Sequence, residues 1–329
     1  MFWTSWFLAV LAIALAWPVP IVLSRAQWPA RSPFTAMLLW QAIALAGGLS
    51  MIGAMLVYGL EPIGDNLLAG LKALAGMVFN NAPTTALGFW HIFALSAAAL
   101  LTAHLVFTLL LTYYKIQRQR RRHRELLALL ASPSADGPRT MVINVDSPVA
   151  YCLPGGARSV TVLSDGLMAA LEPAELRAVL NHENAHLDQR HHLLLWAFAA
   201  WRQALPWLPT TRLAQEAVSS LIEMLADDVA LKTESKATLI KAIAIVASGS
   251  PGAPGARMAF GDPDLSDGEP GQPGAMGGAG SARTTASRVS RLLSPQPPLP
   301  EPVRAAVLAA CLLLLAVPTA LLIVPGLLG

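Results

Sequence analysis

Leu171-Glu172-Pro173-Ala174-Glu175-Leu176-Arg177-Ala178-Val179-Leu180-Asn181-His182-Glu183-Asn184-Ala185-His186 is the stretch on which the reading of the chain turns. Glu172-Pro173 reads as a helix start, with proline at the first helical position. Leu176, Val179 and Leu180 recur at helical spacing and give the helix an apolar face just ahead of the histidines. Residues four apart on a helix point the same way, so His182 and His186 can aim imidazole nitrogens at one ion. Glu183 lies about 100° further round the axis. From there it can abut the open position of a zinc ion and serve as base toward water. The H-E-x-x-H pattern is short and arises by chance in many chains, so its surroundings decide its weight.

Zinc needs a third protein ligand, and two residues compete. His192 has the spacing of the third histidine in H-E-x-x-H-x-x-G-x-x-H sites, but Gln189 stands where that pattern needs the glycine. If the helix runs on toward Leu205, His192 sits about 240° round from His186 and points elsewhere. Glu223 fits better, on a separate helix expected over Arg212–Lys232. Asp227 follows it by one turn and is placed to accept the far N–H of a ligating histidine. The expected metal set is His182, His186 and Glu223, with Glu183 and Asp227 as the catalytic residues. His191 and His192 are read as hydrogen-bonding residues, and Asp228 as a surface acid.

Outward from this segment the composition changes. Apolar residues make up 54% of the 329, and Asp, Glu, Lys and Arg only 13%. No such charge occurs in residues 1–24, 32–60, 73–114 or 305–329. Stretches of about 20 apolar residues are what a bilayer asks of a helix. The expected spans are Trp3–Leu23 (kinked by Pro18 and Pro20), Thr35–Tyr58, Thr85–Tyr114 and Ala305–Val324, with an interfacial helix over Leu67–Phe79. Lys115, Arg118, Arg120, Arg121, Arg122 and Arg124 follow the third span directly, where the positive-inside rule puts a cytoplasmic flank. They account for much of the net charge of +3 and the pI of about 9.1. Contact with anionic lipid heads explains the cluster better than nucleic-acid binding. Arg25 lies after the first apolar core, which favours a retained helix over a cleaved signal and places both termini outside the cell membrane. Cys152 and Cys311 fall in a soluble and a membrane segment, so no disulfide is expected.

Four regions follow: a membrane domain at 1–114, a cytoplasmic zinc metallopeptidase domain at 115–248, a Gly/Pro-rich linker and membrane-proximal segment at 249–303, and a C-terminal transmembrane helix at 304–329. Within the second, Met141–Asp146 and Ser159–Leu163 have strand character around a turn-rich Leu153–Gly156. Asp146–Tyr151 offers a strand edge to an extended substrate. Leu193–Trp201 is apolar on all sides but too short to span, so it packs on the membrane helices or dips into the interface. Arg288 and Arg291 are read as solvated interfacial arginines, with a role as oxyanion donors folded back onto the site as the alternative.

In order along the chain, Ala150–Gly155, Val162–Leu167 and Leu171–Leu180 running into His182–His186 resemble the BlaR/MecR family of membrane metallopeptidases. The later Glu223-x-x-x-Asp227 element is similar to that of HtpX-type membrane peptidases. The resemblance implies a multi-pass α-helical membrane protein with a cytoplasmic α+β gluzincin-type zinc domain. It also implies cleavage of a cytoplasmic partner, a BlaI/MecI-like transcriptional repressor, in signal transduction. Relatives that sense β-lactams carry an extracellular penicillin-binding domain after the last span, and nothing in this sequence resembles one. No direct covalent β-lactam binding is therefore expected, nor direct nucleic-acid contact. Membrane lipids are expected partners, and a second copy of the chain is a candidate. Two other functions stay open: HtpX-like quality control of misfolded membrane proteins, and a non-catalytic zinc-containing membrane sensor.

Overall fold

The computed structural model describes residues 1–80, 86–133, 140–154, 159–248 and 275–328, the side chains of 275–282 and 327–328 excepted. It is mostly helical. Four helical stretches, Phe2–Arg25, Pro33–Leu60, Phe89–Leu130 and Glu301–Gly326, are long and apolar enough to cross a membrane. The first is two helices, α1 (Phe2–Ala16) and α2 (Pro18–Arg25), broken at Trp17 because Pro18 cannot donate back along the ladder. Helix α3 (Pro33–Leu60) packs along α1 and buries Trp40, Ile43 and Ala46. Helix α4 (Leu67–Phe79) starts where the Asn66 side chain accepts from the Ala69 amide at 2.9 Å.

Helix α5 (Phe89–Leu130) is longer than the apolar pattern predicts. The span runs without a break into the basic segment and on to Leu130, since none of these residues is a glycine or proline. Its far end leads into a four-stranded sheet of order β1-β2-β4-β3, from β1 (Ala131–Pro133), β2 (Thr140–Ile143), β3 (Ala150–Leu153) and β4 (Val160–Ser164). β2 and β4 are parallel, and β3 runs antiparallel to β4 on the sheet edge. β3 occupies residues that the sequence assigns partly to a turn. Ser164, fully buried, holds it in register by accepting from the Val149 amide at 2.9 Å and donating to the Ser147 carbonyl at 2.7 Å. A Cβ on Gly166 would lie 1.8 Å from the Asp146 carbonyl oxygen, so only glycine lets α6 (Asp165–Ala170) approach that loop.

Helix α7 (Pro173–Asp188) opens with a capping box in which Glu175 reaches back to the Glu172 amide at 2.9 Å. Contrary to the continuous helix expected, the chain turns at Arg190, the only described non-glycine residue with positive φ (51°). The Arg190 amide closes on Leu187 at 3.2 Å, and α8 (His191–Ala204) begins anew. α8 packs against α5 and against α9 (Pro209–Ala230), and Phe198 joins a core with Trp40, Val218 and Ile222. Helix α10 (Lys236–Ser248) covers α7. The expected linker at 249–303 lies outside the described residues as far as 274. From there α11 (Ala275–Leu293) is helical, so that part of the expected linker forms a helix, and α12 (Glu301–Leu328) follows.

Candidate metal centre and catalytic site

Two helices bring the polar cluster together. α7 carries His182, Glu183 and His186, and α9, packed across it, carries Glu223 and Asp227. His182 Nε2 and His186 Nε2 face each other at 3.2 Å. Glu223 carboxylate oxygens lie 3.3 Å from the first and 3.4 Å from the second. Ligand atoms about 2.0–2.1 Å from a tetrahedral zinc ion stand about 3.3 Å apart, so this triangle has the size of one face of a zinc tetrahedron. It is the one group of three or more such side chains, among the described residues, whose donor atoms converge within 4.8 Å.

The outer nitrogens support the same fit. His182 Nδ1 is 3.0 Å from Asp227 Oδ1, and His186 Nδ1 is 3.1 Å from His191 Nδ1. Hydrogens on the outer nitrogens leave two inner lone pairs facing across 3.2 Å, an arrangement that calls for a cation between them. Burial disfavours charge on His182, yet its bonds to Asp227 and Glu223 raise it to about 9. Burial pushes His186 down to about 3. Burial also works against the Glu223 carboxylate, but His186, Arg288 and His182 outweigh it and hold it below the usual range.

Glu183 is buried beside this cluster, and its Oε2 has no hydrogen-bond partner. Burial raises its carboxyl above the usual carboxylate range. Its neighbour is the Cys152 thiol on β3, itself raised by burial, so the strand and the α7 carboxyl meet directly.

Three participants have partners that sequence reasoning did not assign. Arg288 reaches the cluster from α11. It donates from Nε and Nη2 to the two Asp227 oxygens at 2.8 and 2.6 Å, and from Nη1 to Glu223 Oε2 at 2.9 Å. Those bonds commit its guanidinium to the carboxylates, so it positions them and does not serve as a free oxyanion donor. Arg291 is pinned at 3.0 Å to Asp228, which is therefore ion-paired and not simply a surface acid, and at 2.8 Å to the Ala30 carbonyl. His191, the second outer partner, also contacts Gln189 Oε1 at 3.0 Å. A glycine at 190 would have signalled the turn that brings it there; arginine does not. His192 lies outside the triangle. In α5, His104 contacts the Ala204 carbonyl at 2.9 Å and His91 stacks on Tyr58, so both make local contacts. Cys152 and Cys311 are free thiols.

Residues 116–208 match the model of peptidase family M48. The match takes in the far part of α5, the sheet, α7 and α8, and includes His182, Glu183 and His186 but not Glu223. Comparison with curated proteins and with solved structures gives no match. A segment similar to an M48 metallopeptidase domain thus sits in a chain with four candidate membrane spans.

Proposed function

We propose that this chain is a membrane-embedded zinc endopeptidase with its α+β gluzincin-type domain on the cytoplasmic side and both termini outside. The observation that carries the reading is the 3.2–3.4 Å triangle of His182, His186 and Glu223, with buried Glu183, its Oε2 free of a hydrogen-bond partner, at its side.

His182, His186 and Glu223 would hold the zinc. Bound there, the ion supplies Lewis-acid polarisation of a scissile carbonyl. The chain's own residues do the rest. Glu183 takes the proton of the attacking water at its carboxylate and delivers it to the departing amide nitrogen. Its raised affinity for protons, caused by burial, suits both halves of that transfer. Asp227 keeps the His182 ring in one orientation, and Arg288 keeps Asp227 and Glu223 in place. β3, on the sheet edge with Cys152 against Glu183, offers backbone groups on which an extended substrate can lie.

Resemblance to the BlaR/MecR family supports a cytoplasmic transcriptional repressor as substrate. Glu183→Gln removes the base while leaving the three ligands, so it tests chemistry and substrate together. In cells expressing that variant, a repressor is expected to accumulate intact where wild type fragments it. Accumulation of misfolded membrane proteins in its place would favour the quality-control role. Identical proteomes in both strains, with zinc still bound, would leave a non-catalytic sensor and end the peptidase reading.

A further inference from the structure

Seven buried side-chain polar atoms among the described residues lack a hydrogen-bond partner, and four of them crowd one seam: Arg120 Nε, Arg124 Nε, His192 Nδ1 and Trp196 Nε1. All four are nitrogens, and three are obligate donors. Arg120 and Arg124 are one turn apart on α5, and His192 and Trp196 are one turn apart on α8. The two helices are clamped beside them by Thr112 donating to Gln203 at 2.6 Å and by an edge-on contact of Tyr113 with Trp196, ring centroids 5.4 Å apart.

Arg120 is the centre of the group. It is 7% exposed, and none of the described residues gives it an ion pair or a hydrogen bond. Its neighbours in charge are Arg124, the Cys152 thiol and Tyr113, with His192 close by; no carboxylate is among them. A buried guanidinium without an anion is costly, and so is each buried donor left unmade. The first turn of α8, which carries His192, holds no acidic residue and has no side-chain cap. The seam is built for a negative group that the described chain does not supply.

Its position says which one. Lys115, Arg118, Arg121 and Arg122 are exposed on the other faces of α5 and are free to meet lipid phosphates. Arg120 turns the opposite way. It lies within electrostatic reach of Cys152, whose thiol touches Glu183, and Arg124 Nη2 donates to the Pro154 carbonyl just past β3. The seam therefore flanks the edge strand on which the substrate would lie.

We propose that the α5–α8 seam is a substrate subsite for a carboxylate close to the scissile bond, with Arg120 as its main determinant. The proposal rests on the peptidase reading and adds a specificity to it: acidic side chains or a terminal carboxylate are preferred at one fixed position.

The test is cleavage-site profiling of a proteome-derived peptide pool by the full-length zinc-loaded protein in detergent. Wild type is expected to enrich Asp and Glu at one position relative to the cut. Enrichment of a fixed distance to the peptide C-terminus, abolished by amidation, would identify a terminal carboxylate in the same seam. For matched Glu and Gln peptides, a lost charge-assisted bond predicts that Arg120→Gln lowers the Glu:Gln ratio of kcat/KM by about 10- to 100-fold. His192→Gln should lower it less, and Arg120→Lys should restore part of it. Zinc content and melting temperature of each variant report on folding. Binding of the same peptides to Glu183→Gln protein gives a second readout that needs no turnover. Cleavage by wild type without acidic enrichment, and equal affinity for Glu and Gln peptides, would overturn the subsite alone. A ratio unmoved by Arg120→Gln, with loss of activation by phosphatidylglycerol vesicles, would assign the seam to lipid. Wild type and Glu183→Gln equally inactive on every peptide would remove the peptidase reading, and the subsite with it.

Discussion

Arg288→Met removes three hydrogen bonds from one buried arginine: two to Asp227, whose side chain is 1% exposed, and one to Glu223. Breaking one side of a buried ion pair costs about 3–5 kcal/mol, because the remaining charge stays desolvated. Asp227 keeps His182 Nδ1 at 3.0 Å as a partner, which puts the expected loss at the lower end, about 3 kcal/mol. At 2–4 °C per kcal/mol for a domain of this size, the melting temperature of the zinc-free protein should fall by about 6–12 °C. The assay is thermal unfolding of purified protein in detergent, followed through cysteine accessibility, since Cys152 and Cys311 are both buried. Asp227→Asn in the Arg288→Met background should cost less than the sum of the two single changes, because each removes the other's partner. Zinc should narrow the deficit by neutralising Glu223. An Arg288→Met protein melting within 2 °C of wild type, or strict additivity in the cycle, would refute a structural clamp.

Wild type should carry about one zinc per chain; Glu223→Ala should lose it and His192→Ala retain it, as measured by metal analysis, and the opposite pattern would move the third ligand to His192. Arg190→Gly should stabilise the α7–α8 turn by up to about 1 kcal/mol, since glycine escapes the left-handed penalty that arginine bears at φ 51°; a lower melting temperature would count against that. Glu175 bonds to Lys241 at 2.6 Å, which lowers the Glu175 pKa and raises that of Lys241. The stabilisation from Glu175 is present above its unfolded pKa and is lost as pH falls through the depressed folded value. That from Lys241 is present below its unfolded pKa and is lost as pH rises through the elevated one. Lys241→Met should therefore narrow the difference from wild type at both pH extremes, measured by unfolding across pH. Cysteines placed at positions 2 and 329 should react with an impermeant reagent in intact cells and one at 270 should not; labelling at 270 would invert the topology.

How much of this was legible in the sequence depends on the range of the interactions involved. Leu67–Phe79 was readable because Asn66 caps it locally, and α7 because Glu172, Pro173 and Glu175 write its start within four residues. His182 and His186 share a face by helical spacing alone. Glu223 could be paired with them since Asp227 follows it by one turn. The turn at Arg190 was hidden, because its residue type argues against the backbone it adopts. β3 was legible only at its start, where it overlaps the Asp146–Tyr151 edge, because Leu153 leads into Pro-Gly and the pairing is held by Ser164 on another strand. The pairing of Arg288 with Asp227 and Glu223 was hidden most deeply: these partners are 61 and 65 residues away, on the far side of a Gly/Pro-rich stretch. Short-range rules found the side chains that cluster, and long-range packing supplied what holds them.

Helix α5 has a mechanical consequence. Forty-two residues without a break make a rod about 63 Å long, roughly twice the thickness of the hydrocarbon layer. A rod with no joint cannot absorb motion at the membrane surface; it transmits it. From mid-span near Leu101 to Arg124 the lever arm is about 35 Å, so a tilt of 5° shifts the far end by about 3 Å. That is the length of a hydrogen bond, and the far end holds β3 through His123 on the Tyr151 hydroxyl at 2.8 Å and Arg124 on the Pro154 carbonyl. In a bilayer, thickness and lateral pressure, which set the tilt of a span, would act through this rod on the strand that faces Glu183.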